Sequence, residues 1–301
     1  MKLTAELLTT RTAVAEKNSL AVYADLFKAR LTSLVLLTTV VGFYAGSRVA
    51  VDYLLMLHTL LGTALVASGA SALNQLWERK HDAKMRRTAD RPLPSGTLQP
   101  QAVLKIGCGA GVVGLLYLGL TVNAVAAGVA GCSLLLYVFV YTPLKRVTWL
   151  NTLVGAVPGG LPPLIGWAAA RGGLDAGGWI LFGIQALWQL PHFMAIAWMY
   201  REEYARAGFR MLSVKDPDGR RTSRHAVVQT ALLLPVSVLP FMIKLAGPFY
   251  FGGALGLGVC FLFLALQFAR SPGHARAQRL FYYSLAYLPL LLVLMVVDKI
   301  K

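Results

Sequence analysis

Residues 53–82 read YLLMLHTLLGTALVASGASALNQLWERKHD. Through Leu76 this run holds no Asp, Glu, Lys or Arg, and at 1.5 Å of rise per residue a helix of that length crosses a hydrocarbon core of about 30 Å. Its last turns change character. Asn74, Glu78 and Asp82 recur at i, i+4 and i+8, so a helix that continues past the membrane edge stacks three oxygen-bearing side chains on one face.

Apolar blocks of similar length recur outward from this one, at 31–47, 102–120, 122–141, 150–170, 177–199, 226–243, 249–268 and 280–298. With 56% hydrophobic and 14% charged residues and a mean hydropathy of +0.60, the 301-residue chain falls outside the range of soluble domains. The pattern predicts an all-α, polytopic membrane protein of about nine transmembrane helices. Residues 1–30 form a cytoplasmic N-terminal segment, and 31–301 a single intramembrane domain. A formal net charge of +16 on a soluble protein points to nucleic acid; here the connections between spans carry the basic residues, and no nucleic-acid partner is expected. Of the 29 Lys and Arg residues, only Arg48, Arg171, Lys244, Lys299 and Lys301 fall on one side of the alternating topology. That asymmetry places the N-terminus in the cytoplasm and the C-terminus outside.

Residues 1–30 contain no apolar core of a cleavable signal, so the first span is the expected targeting element. Cys108, Cys132 and Cys260 stand singly within apolar blocks, at no disulfide or metal spacing, and are expected to be small core residues. The polar stretches 1–24 and 215–224 lack apolar periodicity and are expected to be mobile.

Chemistry gathers in two long connections. In the first, Asn74, Glu78 and Asp82 offer an all-oxygen set suited to magnesium, which takes one or two carboxylates and completes its shell with phosphate oxygens and water. Arg79, Lys80, Lys84, Arg86, Arg87 and Arg91 follow, a basic fringe that pairs with phosphates. In the second, the span ending WQLPHFMAIAWMY runs from Trp188 to Tyr200 into Arg201-Glu202-Glu203-Tyr204, with Arg206 and Arg210 beyond. Two acidic helix ends facing one another across a cavity can clamp magnesium ions on one diphosphate. His192 lies inside that span, about 12 Å of helix before Tyr200, and an ionisable residue at such depth is a functional candidate. Lys145 and Arg146 sit in a short hairpin on the same side. The run from Gly155 to Trp167, GAVPGGLPPLIGW, is too rich in Gly and Pro for an unbroken helix, which predicts a break beside the pocket. His58, towards the opposite face, reads as interfacial and structural.

The stretches NQLWERKHDAKMRRTADRPLPSG, YTPLKRVTWLNTLVGAVPGGLPPLIGW and WQLPHFMAIAWMYREEYARAGFRML closely resemble those of the protoheme IX farnesyltransferases, or heme O synthases, of the intramembrane prenyltransferase superfamily. The resemblance extends from about residue 25 to the last span. It implies helices around a central cavity, with magnesium ions holding farnesyl diphosphate beneath a cytoplasmic cap. It also implies transfer of the farnesyl group to a vinyl group of heme b, giving heme O. The family's Asn-x-x-x-Asp-x-x-x-Asp motif maps onto Asn74, Glu78 and Asp82, with Glu78 where Asp is usual. Its second motif maps onto Glu202, Glu203 and Tyr204, with Glu203 again replacing Asp.

The implied roles follow residue by residue. Asn74, Glu78, Asp82, Glu202 and Glu203 are the expected magnesium ligands, and Arg86, Arg87, Arg91, Lys145, Arg146 and Tyr204 the expected contacts to the diphosphate. His192 would orient the porphyrin, through its iron, or handle a proton. Trp167, Trp188, Phe193 and Trp198 are candidates for the cavity wall. The expected partners are the lipid bilayer of a bacterial inner membrane and proteins that deliver heme or assemble terminal oxidases. Two rivals remain at this point: a prenyltransferase acting on a quinone-precursor aromatic acid, and a secondary transporter, which also uses broken helices.

Overall fold

The computed structural model describes residues 18–48 and 50–300; expectations for 1–17 and for Lys301 lie outside the described residues. Eleven helices are named here: α1 Ser19–Leu26, α2 Ala29–Gly46, α3 Tyr53–Asp82, α4 Pro100–Thr121, α5 Ala124–Leu144, α6 Asn151–Arg171, α7 Ala176–Met199, α8 Arg201–Ala207, α9 Arg220–Met242, α10 Pro248–Arg270 and α11 His274–Val297. All except α1 and α8 are long and apolar enough to cross a membrane, which gives nine candidate spans among the described residues. Leu120 (86% exposed) and Phe249 (81%) show why these faces need lipid, since water would not tolerate them.

The spans pack into two cores. Phe43, Val66, Leu118, Leu134, Leu164 and Ile165 unite α2 to α6, while Ile184, Met194, Leu233, Phe261, Phe268 and Tyr287 unite α7 with α9 to α11. Helix α6 is the most enclosed of the nine and packs on α2, α5 and α7. Its approach to α2 depends on missing side chains: a Cβ at Gly42 would strike the Pro163 carbonyl, and one at Gly166 the Thr39 carbonyl. Small residues let helices meet this closely in lipid, where dispersion contacts drive association.

The break expected between Gly155 and Trp167 does not form; α6 is helical through Pro158, Pro162 and Pro163. Pro162 has no N–H to give the Pro158 carbonyl four residues earlier, and the Ser133 hydroxyl on α5 donates to that carbonyl instead at 3.0 Å. The cysteine expectation also fails. Cys108, Cys132 and Cys260 are free and exposed on the outer faces of α4, α5 and α10. An apolar setting in the sequence does not separate a core position from a lipid-facing one.

Nor is 215–224 unstructured. A 3-10 turn, Leu212–Lys215, leads to Asp216, which is buried and whose Oδ2 accepts the Thr222 N–H at 2.7 Å, tying down the start of α9. Likewise residues 19–30, read from sequence as part of a tail, supply α1, the turn at Phe27–Lys28 and the start of α2.

Candidate active site

A cavity of about 1210 Å³ lies between the two cores. Its deep wall is apolar, with Leu34, Leu37, Val66, Leu134, Ile165 and Leu292, and it is framed at one end by Lys28, Glu78, Asp82, Arg91, Tyr137, Tyr141, Lys145 and Tyr204. A polar end on an apolar barrel suits an amphiphile with a charged head and a long hydrocarbon tail.

The polar end is built on α3, which runs past the apolar block without a break. Asn74, Glu78 and Asp82 lie on one buried face of it, none more than 6% exposed. A second ladder faces the first. In α5 the backbone widens to a π turn over Leu136–Tyr141, and Tyr137, Tyr141 and Lys145 follow one another at i, i+4 and i+8. Such wide turns concentrate at functional sites because they re-aim side chains. The two ladders are joined where Asn74 Nδ2 donates to Thr142 Oγ1 (2.9 Å) and where Lys145 Nζ meets Glu78 Oε1 at 2.7 Å.

Each residue of the acidic ladder faces a cation from another segment. Lys28 Nζ donates to Asn74 Oδ1 at 2.6 Å and to the Tyr137 hydroxyl at 3.2 Å, Lys145 serves Glu78, and Arg91 Nη1 pairs with Asp82 Oδ2 at 2.7 Å. Lys28 reaches inward from a left-handed backbone (φ 49°), an unusual conformation for a residue with a Cβ. Gln75 Nε2 holds that corner by donating to the Asp25 and Leu26 carbonyls at 2.7 and 2.9 Å. Burial, reinforced by the Arg91 charge, brings the Lys28 ammonium down to about 7. Burial also works against the Lys145 ammonium, but the Glu78 carboxylate and the Tyr141 hydroxyl outweigh it and hold Lys145 above the ordinary lysine value.

The cap comes from the second motif. Helix α7 stops at Met199, the chain turns at Tyr200, and α8 runs over Arg201–Ala207 to Gly208, whose φ of 78° favours glycine. Tyr204 lines the cavity; its hydroxyl accepts from Arg87 Nη2 at 3.2 Å, and the Arg87 guanidinium lies over both Tyr200 and Tyr204. His81 at the end of α3 hydrogen-bonds the Ala207 carbonyl (2.7 Å) and packs on Phe209, while the Arg210 N–H donates to the Lys145 carbonyl (2.8 Å). These contacts pin the cap to both ladders.

The predicted residues are therefore only partly gathered. Glu78, Asp82, Arg87, Arg91, Lys145, Tyr204 and His192 line the cavity, with Asn74 buried immediately behind. Glu203 is half-buried, and its Oε2 is buried without a hydrogen-bond partner. Glu202 and Arg86 are exposed and Arg146 is half-exposed; none of these three, nor Glu203, lines the cavity. Trp188 and Phe193 are in its wall, but Trp167 and Trp198 belong to the packed core, at 1% and 4% exposure. His58 is bonded to the Tyr117 hydroxyl at 2.6 Å, away from the cavity. Sequence reading missed Lys28, Tyr137 and Tyr141. The two tyrosines share with Lys145 the same four-residue spacing that exposed the acidic ladder; Lys28 had no such signal.

The donor set suits a hard divalent cation. It is all oxygen, and the orphaned Glu203 Oε2 is a buried acceptor lacking a donor. Among the described residues no three His, Cys, Asp or Glu side chains come together as a metal-binding group.

The model of the UbiA prenyltransferase family matches residues 35–288. The chain is 46% identical to a protoheme IX farnesyltransferase of Solibacter usitatus, over 92% of this chain and 98% of that one, and 45% identical to its namesake in Salinibacter ruber, with the same coverage. In solved structures its fold resembles that of a digeranylgeranylglyceryl phosphate synthase (TM-score 0.79, 19% identity, covering 93% of this chain and 98% of that one). It also resembles an Archaeoglobus fulgidus UbiA homolog bound to DMAPP and Mg2+ (TM-score 0.64, 15% identity, 91% and 98%).

Proposed function

The chain belongs to the UbiA prenyltransferase family, and from that premise we propose that it transfers the farnesyl group of farnesyl diphosphate to a vinyl group of heme b, giving heme O. The observation that carries the reading is the polar end of the cavity, where the acidic ladder of α3 and the cations Lys28, Arg91 and Lys145 converge above an apolar chamber.

Asn74, Glu78, Asp82 and Glu203 would hold magnesium, which when bound neutralises the diphosphate and makes it a better leaving group. Lys28, Arg87, Arg91 and Lys145 then turn from their present partners to the phosphate oxygens, where positive charge counts most as the carbon–oxygen bond breaks. Tyr137, Tyr141 and Tyr204 screen the allylic carbon from water at the neck of the cavity. The apolar wall holds the farnesyl chain so that the vinyl group meets its first carbon, and water completes the hydroxyethylfarnesyl group. The basic connections support a reading in which this polar end, the N-terminus and the cap are on the cytoplasmic side of a bacterial inner membrane, with the C-terminus outside. Proteins that deliver heme or assemble terminal oxidases would meet the enzyme there.

Purified protein in lipid, given heme b, farnesyl diphosphate and magnesium, is expected to yield farnesylated heme by mass spectrometry, and a chelator to abolish it. Prenylation of a hydroxybenzoate with heme untouched would replace the acceptor.

A further inference from the structure

His192 sits on the cavity wall beyond the diphosphate end, and its surroundings fix which nitrogen carries the proton. Its Nδ1 lies 2.7 Å from Ser284 Oγ, and Ser284 Oγ lies 2.5 Å from the Phe281 carbonyl. A carbonyl only accepts, so both short contacts are hydrogen bonds only if the Ser284 hydroxyl donates to Phe281. The serine then has only lone pairs to offer the imidazole, and Nδ1 must be the protonated nitrogen. Ser284 is fully buried and cannot turn away, and its own carbonyl is held by Trp188 Nε1 at 2.7 Å. Trp188 and Phe281 lie nearly parallel to the imidazole, at centroid distances of 5.3 and 4.9 Å, and keep it from rotating.

Nε2 is left with a lone pair and, among the described residues, no protein hydrogen-bond partner, in a residue that lines the cavity. An imidazole oriented and made more basic by an acceptor on its far nitrogen is the arrangement that metal-ligating histidines show. Resting on the heme b reading above, we infer that His192 Nε2 is an axial ligand to the iron of the porphyrin acceptor, and that Ser284 is the positioning residue that holds it in the ligating tautomer. Iron coordination would fix the porphyrin plane in the chamber and so determine how its vinyl edge is presented to the farnesyl carbon.

The test is a titration of the full-length protein in lipid nanodiscs with ferric heme b, read by absorption and electron paramagnetic resonance. Wild type is expected to show a nitrogen-ligated spectrum. His192→Ala should lose it and weaken heme binding at least ten-fold, and added imidazole should restore the spectrum. Ser284→Ala, with the histidine still present, should weaken heme binding about ten-fold, the size of effect typical of an outer partner of a metal ligand. Retained binding of farnesyl diphosphate with magnesium verifies that each variant is folded. A wild-type protein that farnesylates heme while its spectrum and affinity ignore His192→Ala overturns the ligation alone. A wild type that neither binds nor farnesylates heme overturns the acceptor reading, and the ligation with it.

Discussion

The two acidic motifs look alike in sequence and are built differently. Asn74, Glu78 and Asp82 belong to an uninterrupted membrane helix, are buried, and are each met by a cation or hydroxyl from another segment. Glu202 and Glu203 sit on α8, a short helix set apart from α7 by the turn at Tyr200; one carboxylate is exposed and the other has a buried oxygen without a partner. The first motif is thus a fixed platform whose charges are already balanced. The second is a cap with one exposed acid, Glu202, and one half-buried acid, Glu203, whose buried Oε2 has no hydrogen-bond partner among the described residues. A buried charge is tolerated when it is paired, and the platform carboxylates are paired where the buried Glu203 oxygen is not.

The comparison breaks most readily at Asp82. Asp82→Asn removes the ligand charge at nearly constant shape and is expected to lower kcat/KM by about 10²–10³-fold with membrane insertion intact. Near-normal magnesium-dependent turnover would remove the platform from the mechanism. Glu203→Gln should act more mildly, at about ten-fold or somewhat more, and should shift the magnesium dependence of the rate to higher concentration. A loss equal to that of Asp82→Asn would make cap and platform equivalent. Lys28→Met is expected to raise KM for farnesyl diphosphate about ten-fold, the value of one charge-assisted hydrogen bond, in steady-state assays. Glu202→Gln, outside the cavity, should leave both constants within about two-fold.

The smallest effect concerns stability alone. Asp216→Ala should cost about 1 kcal/mol in thermal unfolding through loss of its hydrogen bond to the start of α9, with kcat unchanged. Burial pushes the Asp216 carboxyl up, but backbone hydrogen bonds from the start of α9, that of the Thr222 N–H first among them, outweigh it and hold the group below the usual carboxylate range. Its contribution is therefore complete at neutral pH, above the unfolded value, and fades as pH falls through the depressed folded value. The difference in melting temperature between wild type and Asp216→Ala should narrow in acid.

Spacing and chain length determined much of this protein in advance. Nine apolar blocks became nine candidate spans among the described residues, because lipid requires each crossing segment to satisfy its backbone internally and leaves the helix as the local solution. The acidic ladder was legible for the same reason: a helix turns residues i, i+4 and i+8 onto one face wherever it lies. Tertiary structure decided what local periodicity cannot encode. It kept α6 whole by bringing Ser133 to the carbonyl that Pro162 leaves free, and it turned the three cysteines outward. It separated Glu203 from Glu202, and carried Lys28 46 residues across the chain to Asn74. Each of these outcomes depends on a partner distant in sequence, and in a membrane an apolar residue reads the same whether its neighbour is another helix or lipid.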